Sequence, residues 1–482
     1  MPSFRSLLLL PMVALPVLVT SACTLSPHYQ QPALAVTDAW PVTPADSSSA
    51  NASATPAADT LSWQAVFHDE RLQRVISRAL DNNRDLRVAV LNIQKARAGY
   101  RMQRASLFPS LNANAADSHS LTPAPISGVG TALDENVYSA QLAVPAWQVD
   151  LFGRVQSETK TAFETYLQNA ETKRAAQVSL ISETASAWLT LGADQDLLKL
   201  AQSTLKSRQD TLGLTQRTFA LGEASQTDLH NDEILAEQAR ADVAQYQAQV
   251  NEDRDALVLL TGSSIPDADL PDGMPGEDAI LTTLPSGVPS QVLTRRPDVL
   301  AAEHAIKAAN GDIGAARAAF FPSISLTADT GNESLSLSHL FDNHTGAWSF
   351  TPAVSLPIFA GGYNVANLKS AKTSRDIAVA QYDKAVQTAF RDVADALAVR
   401  ATIEDRLDAT RKAADEAHDN LKLENARYQR GIDSYIDQLD AERTDYSAQQ
   451  AAISVRLLRD TNLVTLYGAL GGGAGPDTTG KK

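Results

Sequence analysis

The sequence predicts a mainly α protein with a membrane β-barrel part, in which long coiled-coil helices join four short strands. Three observations predict it. Two long stretches, Pro145 to Pro266 and Pro357 to Pro476, contain no internal proline and repeat apolar residues every seventh position. Four short segments instead alternate apolar and small polar residues. Finally, the second half of the chain repeats the first, which reads as a tandem duplication.

The chain of 482 residues has ample length for several domains, and 44% hydrophobic with 20% charged residues is ordinary globular composition. Its net charge of -15 becomes -16 once the first 22 residues, which carry only Arg5, are removed. Such a surface lacks the basic footprint of a nucleic-acid binder. The opening "MPSFRSLLLLPMVALPVLVTSAC" has one early cation, an apolar run and small residues before Cys23, so residues 1–22 read as an export signal. Cys23 is the sole cysteine, excludes an internal disulfide, and stands where a bacterial lipoprotein is acylated. No later run approaches the roughly 18 apolar residues of a spanning helix, so any crossing must use strands.

Residues 23–61 then read as a lipid anchor and flexible tether rich in Ser, Ala and Pro, with folded sequence from about Trp63. The first repeat covers 62–265, a Pro/Gly/acid linker 266–290, the second repeat 291–468, and 469–482 reads as a frayed tail. "RDLRVAVLNIQKARAGYRMQRASLFPSL" aligns without a gap to "PDVLAAEHAIKAANGDIGAARAAFFPSI" at an offset of 213, pairing Arg104 with Arg317 and Phe108 with Phe321.

Leu191, Leu198, Leu205, Leu212 and Phe219 fall seven apart, as do Leu229, Ala236, Val243, Val250 and Leu257. Leu407, Ala414, Leu421 and Tyr428 keep the equivalent register in the second half. A helix from about Arg154 to Thr218 follows, with Gly192 and Gly213 as interruptions and points of bending. The spacing aromatic-x-x-Gly-x-x-Ser-x-x-Asp occurs twice, at Phe219/Gly222/Ser225/Asp228 and Tyr428/Gly431/Ser434/Asp437. It predicts a helical hairpin: glycine ends one helix, and serine with aspartate caps the next.

The alternating segments are "SLNANAA", "YSAQLAVP", "SISLTAD" and "WSFTPAVSLP", separated pairwise by turn-rich stretches 118–136 and 330–347. Taken alone they fit half of a soluble sandwich as well as part of an outer-membrane barrel. Export and the absence of charge on the apolar faces favour the membrane, whereas Pro352 requires a bulge if its strand is central. Four strands cannot close a barrel, so the chain must oligomerise: two copies give eight strands with an interior filled by side chains, three give twelve around a bore, and the small inward Ser, Asn, Thr and Gln suit a bore.

The runs "CTLSPHYQQP", "SWQAVFHDERLQRVISRALDNNRDL", "WQVDLFGR" and "PSQVLTRRPDVLAAEHAIKAANGDIGAARAAFFPSISLTA" resemble TolC-like outer-membrane efflux factors of the NodT-type lipoprotein branch. The resemblance spans nearly the whole mature chain. It implies a homotrimer with one twelve-stranded barrel and a helical tunnel, an exit duct serving a periplasmic adaptor and an inner-membrane pump. It implies no enzymatic chemistry and no cofactor beyond a covalent lipid on Cys23. It places adaptor docking at Gly222, Glu223, Ala224 and Ser225 and at Gly431, Ile432, Asp433 and Ser434, and a periplasmic constriction at Asp437, Asp440 and Tyr428. Some relatives carry arginine where this chain has Asp433, which argues against a salt-bridge lock. Two rival readings are a lipid-anchored periplasmic coiled-coil scaffold without a pore and an exported enzyme. No HExxH, GxSxG, phosphate-binding glycine loop or paired Cys/His set supports the second.

Overall fold

A computed structural model describes residues 24–33, 36–37, 39–41, 62–281 and 293–472. The export signal and Cys23 lie outside the described residues. The element order is α1 (Trp63–Val66), α2 (Glu70–Asn82), α3 (Arg84–Ala105), β1 (Asn112–Thr122), β2 (Leu133–Val149), α4 (Arg154–Ala220) and α5 (Gln226–Thr261). The second repeat follows with α6 (Pro297–Ala318), β3 (Ser323–Ser334), β4 (Gly346–Ser355), α7 (Tyr363–Gln429) and α8 (Tyr435–Ala469). The duplication is exact in length for two pairs: α3 and α6 have 22 residues each, and α4 and α7 have 67 each. At 1.5 Å per residue the latter pair runs about 100 Å.

The chain divides into two compact units. One contains residues up to Tyr29, 100–162 and 308–374, and therefore all four strands. They form one antiparallel sheet in the order β1-β2-β3-β4. Its register places Ala113, Leu142, Thr330 and Trp348 in one row, with Val144, Ala328 and Phe350 in a row beside it on the same face. The opposite face carries Asn112, Asn114, Gln141, Ser325, Thr327 and Ser349. The anticipated alternation is therefore present, but the strands run further into the segments taken for loops. The turns shrink to 123–132 and 335–345.

The proline expectation also needs correction. Pro352 pairs with Leu326 in unbroken register, so β4 carries its proline without the expected bulge. The bulge falls instead between Val144 and Trp147, around Pro145 and Ala146, whose φ is 23°.

The other unit holds residues 30–99, 163–307 and 375–482. Its core packs Phe67, Leu72, Val75 and Ile76 against Trp188, Leu189, Leu257, Leu463 and Tyr467, all buried. Gly192 does not interrupt α4, which is continuous from Arg154 to Ala220. A Cβ at Gly192 would lie 2.8 Å from the carbonyl oxygen of Gly273, so this glycine admits the inter-repeat linker rather than a bend. The described part of that linker, 266–281, is packed: Trp188 Nε1 donates to the Asp269 carbonyl at 3.0 Å, and Ile280 bridges Phe67. Two further boundaries shift. Trp40 is buried and stacks on Phe390 with centroids 5.1 Å apart, so the tether is held at that point, while residues 42–61 lie outside the described residues. Ala469 to Gly472 are buried rather than frayed. Arg296 holds this end by donating to the Ala469 carbonyl at 2.6 Å and to Asp298 at 2.7 Å.

Candidate functional site: the two hairpin tips and the sheet

Both repeated motifs form the same turn. Gly222 and Gly431 have φ of 79° and 70°, a conformation that a Cβ disfavours. The Gly222 amide donates to the Phe219 carbonyl at 2.9 Å and that of Gly431 to Tyr428 at 2.8 Å. Ser225 then caps α5 and Ser434 caps α8, each accepting from the amide three residues on. Asp228 and Asp437 close the capping boxes by accepting from the serine backbone amides at 3.1 and 3.2 Å, and each also accepts from the serine hydroxyl at 2.7 Å.

Of the expected tip residues, Glu223, Ile432 and the two glycines are exposed, while Ala224 and Asp433 are half-buried. The three constriction residues share one end of the second hairpin but have different local duties. Asp437 is engaged in the cap, and Tyr428 packs on Tyr435 at 5.7 Å between centroids. Asp440 projects into solvent with Arg443 3.6 Å away. Asp433 forms an ion pair with Arg427 inside its own hairpin, with Nη2 to Oδ1 at 2.8 Å, and that guanidinium holds the carboxyl below its usual range. An arginine salt bridge does exist at this tip, contributed by Arg427 rather than by residue 433.

Sequence reasoning missed the polar seam between the hairpins. Tyr435 donates to Asp232, Tyr446 donates to Asp242 at 3.0 Å, and Gln450 donates to the Tyr246 hydroxyl at 2.9 Å. The sequence separations of 203, 204 and 204 show α5 and α8 running parallel in constant register. Arg208 on α4 is buried in the same region, its pKa lowered by desolvation, with the charges of Glu442, Arg443 and Asp242 around it. Burial raises the pKa of both Asp232 and Glu442. Deeper along α5, Asp253 is raised to about 7 by burial and by the facing Asp194 carboxyl. A signal was present: Asp232, Tyr246 and Asp253 stand three residues after Leu229, Val243 and Val250, at seam positions of the heptad where apolar residues belong.

The polar face of the sheet, considered by itself, carries more charge than the short segments suggested. Asp329 lies on it, and the longer strands add Glu135 and Glu333, with Gln141 donating to Glu333 at 2.5 Å. No lysine or arginine occurs in any of the four strands. At the far end of the other face His119 meets Asp134 at 2.7 Å, beyond the apolar rows.

A duplicated chain with an apolar-faced sheet and paired helical hairpins of this length defines an outer-membrane channel protein of the efflux class. Comparison with known proteins agrees. Residues 75–263 and 288–472 match the family "Outer membrane efflux protein", and the chain belongs to it. It is 45% identical over 469 residues to the toluene efflux pump outer membrane protein TtgC of Pseudomonas putida, covering 97% of this chain and 96% of that protein. It is 41% identical to outer membrane protein OprJ of Pseudomonas aeruginosa, covering 95% and 94%. The open-state crystal structure of the Neisseria gonorrhoeae MtrE outer membrane channel superposes with a TM-score of 0.83 at 38% identity, covering 94% of this chain and 99% of that one. The protein is an outer-membrane component of efflux.

Proposed function

We propose that three copies of this chain close one twelve-stranded barrel and form a passive exit duct for small molecules, drugs or toxic organic compounds. A periplasmic adaptor and an inner-membrane pump supply the drive. The observation that carries this reading is the four-stranded sheet with β1 and β4 as unjoined edges and an apolar face. In hydrocarbon each unpaired backbone group costs several kcal/mol, so these edges must meet those of other copies. The acidic face of Glu135, Asp329 and Glu333 then lines the bore. The tips Gly222–Ser225 and Gly431–Ser434 receive the adaptor, Asp440 with Asp437 and Tyr428 narrows the periplasmic mouth, and Cys23 carries the lipid. The similarity to a toluene efflux component supports the substrate class.

The test joins the edges. In a Cys23→Ser background, paired cysteines at Ala115 on β1 and Val354 on β4 should crosslink into a covalent trimer, and the uncrosslinked protein should conduct in planar bilayers. A protein that stays monomeric and forms no pore restores the scaffold reading. Cys23→Ala should leave a functional channel, because one lipid group anchors only weakly beside a barrel.

A further inference from the structure

Thr24–Ser26, the peptide that begins one residue after Cys23, lies in a slot between the first turn of α4 and the last turns of α6. The Thr24 and Ser26 hydroxyls each stand 3.3 Å from the Ser157 hydroxyl, and Arg317 Nη1 donates to the Leu25 carbonyl at 2.9 Å. Ser157 is 1% exposed. The slot exists because residue 314 is glycine: a Cβ there would come within 2.2 Å of Ser26 Oγ, 2.6 Å of Ser157 Oγ and 2.9 Å of the Ser26 amide. One turn earlier, a Cβ at Gly311 would lie 2.3 Å from Thr161 Oγ1 and 2.9 Å from the Ser157 carbonyl, so this glycine sets how closely α4 approaches. Helix packing alone accounts for Gly311. Gly314 faces both Ser157 of α4 and the N-terminal peptide, and two of its three nearest atoms, Ser26 Oγ and the Ser26 amide, belong to that peptide.

The duplication supplies a control. At the offset of 213, Gly311 and Gly314 correspond to Ala98 and Arg101 on α3, while Arg317 corresponds to Arg104. The two copies therefore differ at the positions that make the slot, and there is one N-terminus to fill one slot.

We propose that the Gly311–Gly314–Arg317 face of α6 is a docking site for the chain's own mature N-terminus, binding Thr24–Ser26 without help from an attached lipid. The consequence, resting on acylation of Cys23, is that the acyl group starts from a fixed point beside α4 and α6 instead of from the end of a free tether. The anchor is then registered to the protein before it reaches lipid.

A nitroxide at the exposed position 28 reads the docking. The label is placed on His28→Cys in a Cys23→Ser background, which removes both the native cysteine and any acyl chain. Restricted label motion is expected in this parent. Gly314→Val should increase label mobility severalfold while sheet circular dichroism and oligomer size stay unchanged. Arg317→Gln removes the bond to the Leu25 carbonyl but keeps the slot shape, and should give intermediate mobility. Arg101→Ala on α3 should change nothing. A label already mobile in the parent, or equally restricted in Gly314→Val, overturns the proposal. If Gly314→Val does not fold, unchanged mobility in Arg317→Gln overturns it. Mass spectrometry of the wild-type N-terminal peptide separates the two claims: a free Cys23 thiol would overturn the anchoring consequence and leave the docking standing.

Discussion

The two hairpin tips have the same backbone and different attachments. Gly222 with Ser225 and Gly431 with Ser434 make matching left-handed turns and matching capping boxes. The second tip adds an ion pair within its own turn, Arg427 to Asp433, and a tyrosine that reaches across to the first repeat, Tyr435 to Asp232. The cap fixes how the chain reverses; side chains outside the cap fix what the hairpin holds. Seen this way, the second hairpin is latched to the first through its polar seam, while both keep independent turns.

That contrast can be broken in graded steps. The largest effect is expected from Tyr435→Phe combined with Asp232→Ala, which removes the upper rung of the seam. A buried hydrogen bond to a charged group is worth roughly 1.5–3 kcal/mol, so the population with a separated second hairpin should rise on the order of 10- to 100-fold. Open probability in planar bilayers checks this, and no change would show that the rung does not restrain the tip.

Next come the turns. Gly222→Ala and Gly431→Ala should each cost about 1–2 kcal/mol, because both impose a left-handed conformation on a residue with a Cβ. Equal losses in thermal stability are expected, and a loss confined to one tip would contradict their backbone equivalence.

A smaller effect should follow pH. Asp253 titrates at about 7 in the packed helices, above its ordinary value, because burial and Asp194 disfavour its charge. A raised carboxyl pKa stabilises the packed state below the ordinary carboxylate range, and that contribution is lost as pH rises through about 7. Protection of the α5 amides, with the intrinsic exchange rate at each pH divided out, should therefore fall as pH rises toward about 7 and level off above it, and Asp253→Asn should flatten that dependence.

The smallest change is expected from Arg427→Ala, which breaks an exposed pair. The Asp433 pKa should move back up toward the ordinary value, since the guanidinium is what holds it down. Its contribution is present above the ordinary range and lost as pH falls through the depressed value. NMR titration of the Asp433 carboxyl reads it directly, and an unshifted value would place the cause elsewhere.

Heptads at Leu191 to Phe219 and Leu229 to Leu257 made the helices legible, and the glycine-serine-aspartate spacing made the turns legible, because each depends on neighbours within a few residues. Asp232, Tyr246 and Asp253 stand three residues further along, at the second seam position of each heptad, and their polar side chains hide that position from an apolar period. The outer ends of the strands were illegible, since Asp117, Glu135 and Glu333 resemble loop residues until pairing shows them in register.

The sequence by itself determined the duplication, the helix spans, both capped turns and the alternation of the strands, since local spacing encodes all of them. Only the tertiary structure decided which helix lies beside which, and with it the Tyr435–Asp232 and Tyr446–Asp242 rungs. The same holds for the reason behind Gly192 and the slot at Gly314. The physical reason is distance along the chain: a hydrogen bond or close approach between residues two hundred positions apart leaves no period in the sequence, and exists only once the helices have packed.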